Sequence, residues 1–173
     1  MKRYLALLMS VALVVIDQLL KLLAVEYLKP IGTYPIIQDV FHFTYLENRG
    51  MAFGLMQGQD WLLIWGTALV LFILILAVMT GKLQGTAPVF LVCLIIGGGV
   101  GNLIDRVYRG YVIDYIHVKI INFAIFNFAD MCVVVGTFLL VCYVFIHEFI
   151  SKKKEAAGGL APDLYRRGGR GAA

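Results

Sequence analysis

Serine is nearly missing from this chain: among 173 residues it occurs only as Ser10 and Ser151. Neither lies near the other polar residues, so a serine–histidine peptidase has no nucleophile where one is needed. Histidine is equally scarce, as His42, His117 and His147. His147-Glu148 opens a zinc-protease pattern, but Ser151 stands where the second histidine belongs, which excludes that metal site. The cysteines Cys93, Cys132 and Cys142 form no C-x-x-C pair and read as small apolar packing residues without a disulfide framework. A Cys132–His117 nucleophile pair is the remaining thiol alternative and is disfavoured; His42 reads as a surface strand residue. No Gly-Lys-Ser/Thr follows Gly97-Gly98-Gly99-Val100-Gly101, so a phosphate loop is excluded. The Gly97/Gly101 spacing instead suits close helix packing.

Charge is sparse as well. Only 15% of residues are Asp, Glu, Lys or Arg, and residues 61–79 contain none. What fills the chain is apolar: 61% of residues are hydrophobic and the mean hydropathy is +0.85. Residues 61–79 can cross a bilayer core of ~30 Å, and three further spans are read near 4–25, 87–106 and 128–148. The first is not read as a cleaved signal peptide, because it runs through Asp17 and Lys21 without a small-x-small site. The expected fold is an all-α integral membrane protein with four transmembrane helices and a small extracytoplasmic β element.

Lys2 and Arg3 precede the first span, Lys82 lies between the second and third, and Lys152, Lys153 and Lys154 follow the fourth. The positive-inside rule then places both termini in the cytoplasm. Residues 1–154 form the membrane domain, with external segments near 26–60 and 107–127. In the first, Val40-Phe41-His42-Phe43-Thr44-Tyr45-Leu46 reads as a strand, Asn48-Arg49-Gly50 as a turn and Met51-Ala52-Phe53 as a returning strand. The second is expected to dip into the membrane interface. Residues 155–173 are rich in Gly, Ala and Arg and read as a disordered basic tail. The net charge of +4 sits largely there and points to topology and anionic lipid rather than nucleic acid.

On this topology the unusual polar residues gather at one membrane face. Asp17 lies in the outer half of the first helix, with Asn102, Asp105 and Arg106 at the outer end of the third. Asn48, Asp114 and Asn127 are external, and Asp130 begins the fourth. Asp17 and Lys21, spaced i,i+4, read as a structural ion pair, and Asp105 with Arg106 as another. Asp114 and Asp130 have apolar neighbours and no adjacent cation. An acid beside lipid is costly and is a functional-site hypothesis by default. Two such acids brought together suggest one ionised and one protonated carboxyl, able to activate water for peptide hydrolysis. For Asp130 alone, helix capping is the competing explanation. For the set of acids, the competing functions are a proton or ion relay and a non-catalytic assembly factor.

The residues resemble a known family. Asp17-x-x-x-Lys21, Asn48-x-Gly50-x-Ala52-Phe53, Gly101-Asn102-x-x-Asp105-Arg106, Gly110-x-Val112-x-Asp114 and Phe126-Asn127-x-Ala129-Asp130 follow one another as in bacterial lipoprotein signal peptidases, the aspartic type II signal peptidases. Leu20 and Tyr115 depart mildly, where the family often has Ser or Thr and Phe. The resemblance implies cleavage before a lipobox Cys that already carries diacylglyceryl. It implies Asp114 and Asp130 as the catalytic dyad, with Asn48, Gly50, Asn102, Arg106 and Asn127 supporting substrate and dyad. Asp17, Lys21 and Asp105 remain structural. No metal or other cofactor is expected. The implied enzyme is a monomer in the phospholipid of the bacterial inner membrane, its active site near the outer face and its substrate a lipid-modified prolipoprotein.

Overall fold

The computed structural model describes residues 1–50, 60–121 and 123–168. Among them are four helices long and apolar enough to cross a membrane. They are α1 (Lys2–Leu23), α2 (Asp60–Thr80), α3 (Thr86–Arg109) and α4 (Phe128–Gly168). The expected starts agree with these to within a few residues. The end of α4 does not: the backbone stays helical to Gly168, where composition suggests a tail without regular structure. Ala156, Ala157, Leu160 and Ala161 have high helix propensity, and extending a helix already nucleated costs far less than starting one.

The chain divides into two compact units, Met1–Thr137 and Phe138–Ala173. Among the described residues the second is the remainder of α4, which exposes Phe138, Phe145 and Phe149 and stacks Tyr143 on His147 with ring centroids 5.9 Å apart.

Helices α1 and α3 run parallel. Lys2 Nζ donates to Thr86 Oγ1 at one end, and Lys21 Nζ donates to Asn102 Oδ1 at the other. Between these, the Ser10 hydroxyl donates to the Cys93 carbonyl at 2.7 Å, so this serine serves packing. The glycine stripe is what permits the approach. A Cβ on Gly97 would lie 2.9 Å from Leu13 Cβ, and one on Gly101 would lie 2.5 Å from Asp17 Oδ2. The small-xxx-small pair therefore faces α1 along its length. Gly98 faces elsewhere, against Ala129 and Cys132 of α4.

Three strands form an antiparallel sheet in the order β1 (Thr33–Ile37), β2 (Phe41–Asn48), β3 (Val112–Val118). The aromatic run is a strand as its composition suggests. Its expected return strand at 51–53 lies outside the described residues. Its partner on one side is β3, from the segment expected only to dip into the interface. Alternation within Val112-Ile113-Asp114-Tyr115-Ile116 is imperfect, and the β-branched content alone marks the strand. Registry pairs His42 with His117, Leu46 with Asp114, and Asn48 with Val112, with an irregularity between Phe43 and Leu46. His42 is buried, not at the surface, against the His117 ring across the strand pair. Ala24, Ile113 and Tyr115 form a buried cluster joining the sheet to the end of α1. The outer strand β1 is exposed throughout and presents Tyr34, Ile36 and Ile37.

Gly110 ends α3 in the left-handed region at φ 74° and turns the chain directly into β3. Three residues separate this turn from Asp114. The acid is thus delivered by a strand that starts at the helix end bearing Asn102, Asp105 and Arg106.

Candidate active site

The polar residues converge where α1 and α3 end, α4 begins, and β2 and β3 lie alongside. At the centre is the Lys21 ammonium, fully buried. Its three donors match three acceptors: Asp17 Oδ2 at 2.9 Å, Asp105 Oδ2 at 3.0 Å and Asn102 Oδ1 at 2.9 Å. The expected Asp17–Lys21 pair is present. Asp105 does not pair with Arg106. It pairs with Lys21 and, at 3.4 Å, with Arg109, and its Oδ2 also accepts the Ile113 N–H. Adjacent residues on a helix point about 100° apart, whereas Arg109 lies one turn on. Arg106 instead donates to the Gly50 carbonyl at 3.3 Å, fastening the end of the β2 turn over the site. Asn48 Oδ1 accepts the Gly50 N–H, so the expected Asn48-Arg49-Gly50 turn is a side-chain-closed one.

The N-terminus of α4 is saturated by side chains. The Phe128 N–H donates to the Tyr115 hydroxyl oxygen, the Ala129 N–H to Asp17 Oδ1, and the Asp130 N–H to Asn127 Oδ1, at 3.2, 3.1 and 2.9 Å. Asp130 Oδ2 in turn accepts the Asn127 N–H at 3.0 Å. Asn127 and Asp130 thus form a reciprocal capping box. Capping and participation in the site are not alternatives here, because the other oxygen, Asp130 Oδ1, accepts from Asn102 Nδ2 at 2.7 Å.

Asp114 is 1% exposed. Its Oδ2 accepts from Asn48 Nδ2 at 2.9 Å and its Oδ1 from Asn127 Nδ2 at 2.7 Å. Burial, and secondly the nearby Asp130, push its carboxyl up to about 7. Asn127 therefore touches both acids, one through its amide and the other through its capping box. Both acids line one cleft of about 500 Å³ with Asn48, Gly50, Asn102 and Arg106, and apolar residues such as Phe126 and Val134 line it too. A second apolar cleft of about 530 Å³, between α2, α3 and α4, reaches Asn102, Arg106 and Asp130 from another direction.

The acids, asparagines, Gly50, Arg106 and Lys21 that sequence singled out for the site thus meet at this place. Three features escaped that reading. Gln18 bridges Asp17, the Gly101 carbonyl and Asp105. Asp17 caps α4, and Tyr115 caps it too. Cys132 faces Gly98 and His117 bonds Thr44, so the alternative thiol pair has no geometry. Gln18 alone carried a local signal, lying between Asp17 and Lys21 in an apolar helix.

A family profile described as signal peptidase II matches residues 9–146. A lipoprotein signal peptidase of Halothermothrix orenii is 44% identical over 136 residues, covering 78% of this chain and 91% of that protein. One from Clostridioides difficile is 42% identical over 145 residues, 84% of this chain and 97% of that one. A bacterial membrane enzyme solved by the in meso method at 2.3 Å superposes with a TM-score of 0.75 at 26% identity, covering 85% of this chain and 90% of its own.

Proposed function

The chain belongs to the signal peptidase II family, and from that premise we propose that it removes signal peptides from diacylglyceryl-modified prolipoproteins, cutting before the lipidated Cys with Asp114 and Asp130 as its dyad. It is a bacterial membrane protease. The observation that carries the assignment of the dyad is Asn127, which bonds both carboxyl groups at once.

The two acids have unequal surroundings. Asp130 Oδ2 receives a backbone N–H at a helix N-terminus, and Oδ1 receives an amide donor. Both place donors on Asp130 at the start of a helix, and we assign it the role of base. Asp114 is buried and pushed up to about 7, which favours the protonated form. In this reading Asp130 takes a proton from water as its oxygen bonds to the scissile carbonyl carbon. Asp114 donates a hydrogen bond to the developing oxyanion. When the tetrahedral intermediate collapses, the C–N bond breaks and the proton held by the dyad passes to the leaving amine of the Cys. Arg106 and Asn48 flank the cleft and orient the peptide backbone. The two apolar clefts provide room for lipid and the signal segment. The enzyme sits as a monomer in phospholipid, with both termini cytoplasmic and the dyad near the outer face. A proton relay across the bilayer would need acids at several depths, whereas Asp17, Asp105, Asp114 and Asp130 gather at one end of the helices.

Purified protein is expected to release the signal peptide from lipid-modified prolipoprotein and to leave the unlipidated precursor intact, read by mass spectrometry of both fragments. Equal cleavage of the unlipidated form would remove the lipid requirement. The pH profile carries a second expectation. If Asp114 must be protonated, kcat/KM falls as pH rises through about 7, approaching tenfold per unit beyond it. A profile flat from about pH 6 to about 9 would contradict the roles given to the two acids.

A further inference from the structure

The hydroxyl of Tyr115 has no role in the chemistry above, yet it is buried beside the dyad. Tyr115 follows Asp114 on β3, and strand alternation sends its ring to the opposite face, into the cluster with Ala24 and Ile113. There its oxygen accepts the N–H of Phe128, the first residue of α4 and two residues before Asp130. The chain entering α4 is already tied to β3 on the other side of Asn127: Tyr115 and Ile116 N–H both donate to the Phe126 carbonyl, at 3.1 and 2.8 Å. Asn127 is thus bracketed. The strand holds Phe126 by backbone before it and Phe128 by the tyrosine hydroxyl after it.

We propose that Tyr115 is a positioning residue for the cleavage reaction, its hydroxyl fixing the start of α4, and with it Asp130, against the strand that carries Asp114. This rests on the dyad proposed above. The separation of the two carboxyl groups is set by how the helix end sits on the strand. Among the side-chain bonds that cap the three leading N–H groups of α4, the one from Tyr115 is the one that comes from that strand. Losing it leaves the Phe128 N–H without its acceptor and lets the helix end move from β3. Weaker mutual repulsion and easier water access then act in the same direction, since each lowers the pH at which Asp114 ionises.

Tyr115→Phe removes one oxygen and keeps the ring in its cluster. In intact enzyme assayed on lipid-modified prolipoprotein, kcat is expected to fall about three- to tenfold, the equivalent of one net hydrogen bond, with KM unchanged. The alkaline limb of the rate profile should move to lower pH, while the variant still purifies as folded protein. Unchanged kcat overturns the proposal. So does a lower kcat with an unmoved limb, which would mean that the hydroxyl serves stability alone. Failure of the dyad itself is told apart in the same assay, because an active Asp114→Asn enzyme would refute the dyad whatever Tyr115→Phe does.

Discussion

Asp114→Asn and Asp130→Asn are each expected to abolish processing of lipid-modified prolipoprotein while leaving a folded protein. General acid or base catalysis by one positioned group contributes about 10²- to 10⁴-fold, and a two-acid mechanism run on one carboxyl loses at least that. Asn matches Asp in size and keeps one of the two acceptor oxygens, so one of the two donors facing each acid loses its acceptor while the other is retained. Stability should respond with a definite sign at Asp114. Its carboxyl is raised from 3.8 to about 7 by burial. Its favourable contribution is therefore complete below 3.8 and is lost as pH rises through about 7, where the buried group must ionise. Asp114→Asn removes that penalty, so any stability deficit of the variant should shrink above neutrality. Turnover in detergent and thermal unfolding at two pH values provide the check. Near-native turnover by either variant ends the dyad assignment.

Lys21→Met is expected to have the largest effect on stability. The methionine fills the same space but strands Asp17 and Asp105, which are 1% and 0% exposed. Removing one partner from a buried ion pair typically costs about 3–5 kcal/mol, and here one cation serves two carboxylates. Arg109 reaches only Asp105 and cannot replace it at Asp17. Activity should fall along with stability, because Lys21 also holds Asn102, which holds Asp130. Yield and thermal midpoint in detergent would be compared with wild type. A variant as stable as wild type would mean that the cluster is neutralised by protonation rather than by the lysine.

The parts of this arrangement that sequence disclosed are those set by local spacing. Asp17 and Lys21 share a helix face because they are four apart. Asp130 opens an apolar run and reads as a helix cap, although its reciprocal partner Asn127 does not show at that level. Residues 61–79 announce a span by being uncharged. What stayed hidden depends on chain segments distant in sequence. Nothing near Lys21 indicates that Asn102 and Asp105 complete its coordination, and nothing near Asp105 says that it passes over Arg106 for Arg109. His42 read as exposed because its burial comes from β3, and β3 read as an interfacial dip because its pairing partner lies in the first external segment. Helix propensity beyond residue 154 was outweighed by glycine and charge in the composition, although an existing helix needed only extension.

Asp17 and Ala129, joined by one hydrogen bond, are 112 residues apart in sequence. Helix α1 therefore completes the start of α4. Until α4 enters the membrane and settles on α1, Asp114 has no Asn127 beside it and Asp130 is not yet in place. On the dyad proposed above, a chain halted after β3 would hold Asp114 without Asp130 and is expected to cut nothing. Under that assignment, cleavage is expected to require α1, β3 and α4 together, because each contributes to the surroundings of one or both acids.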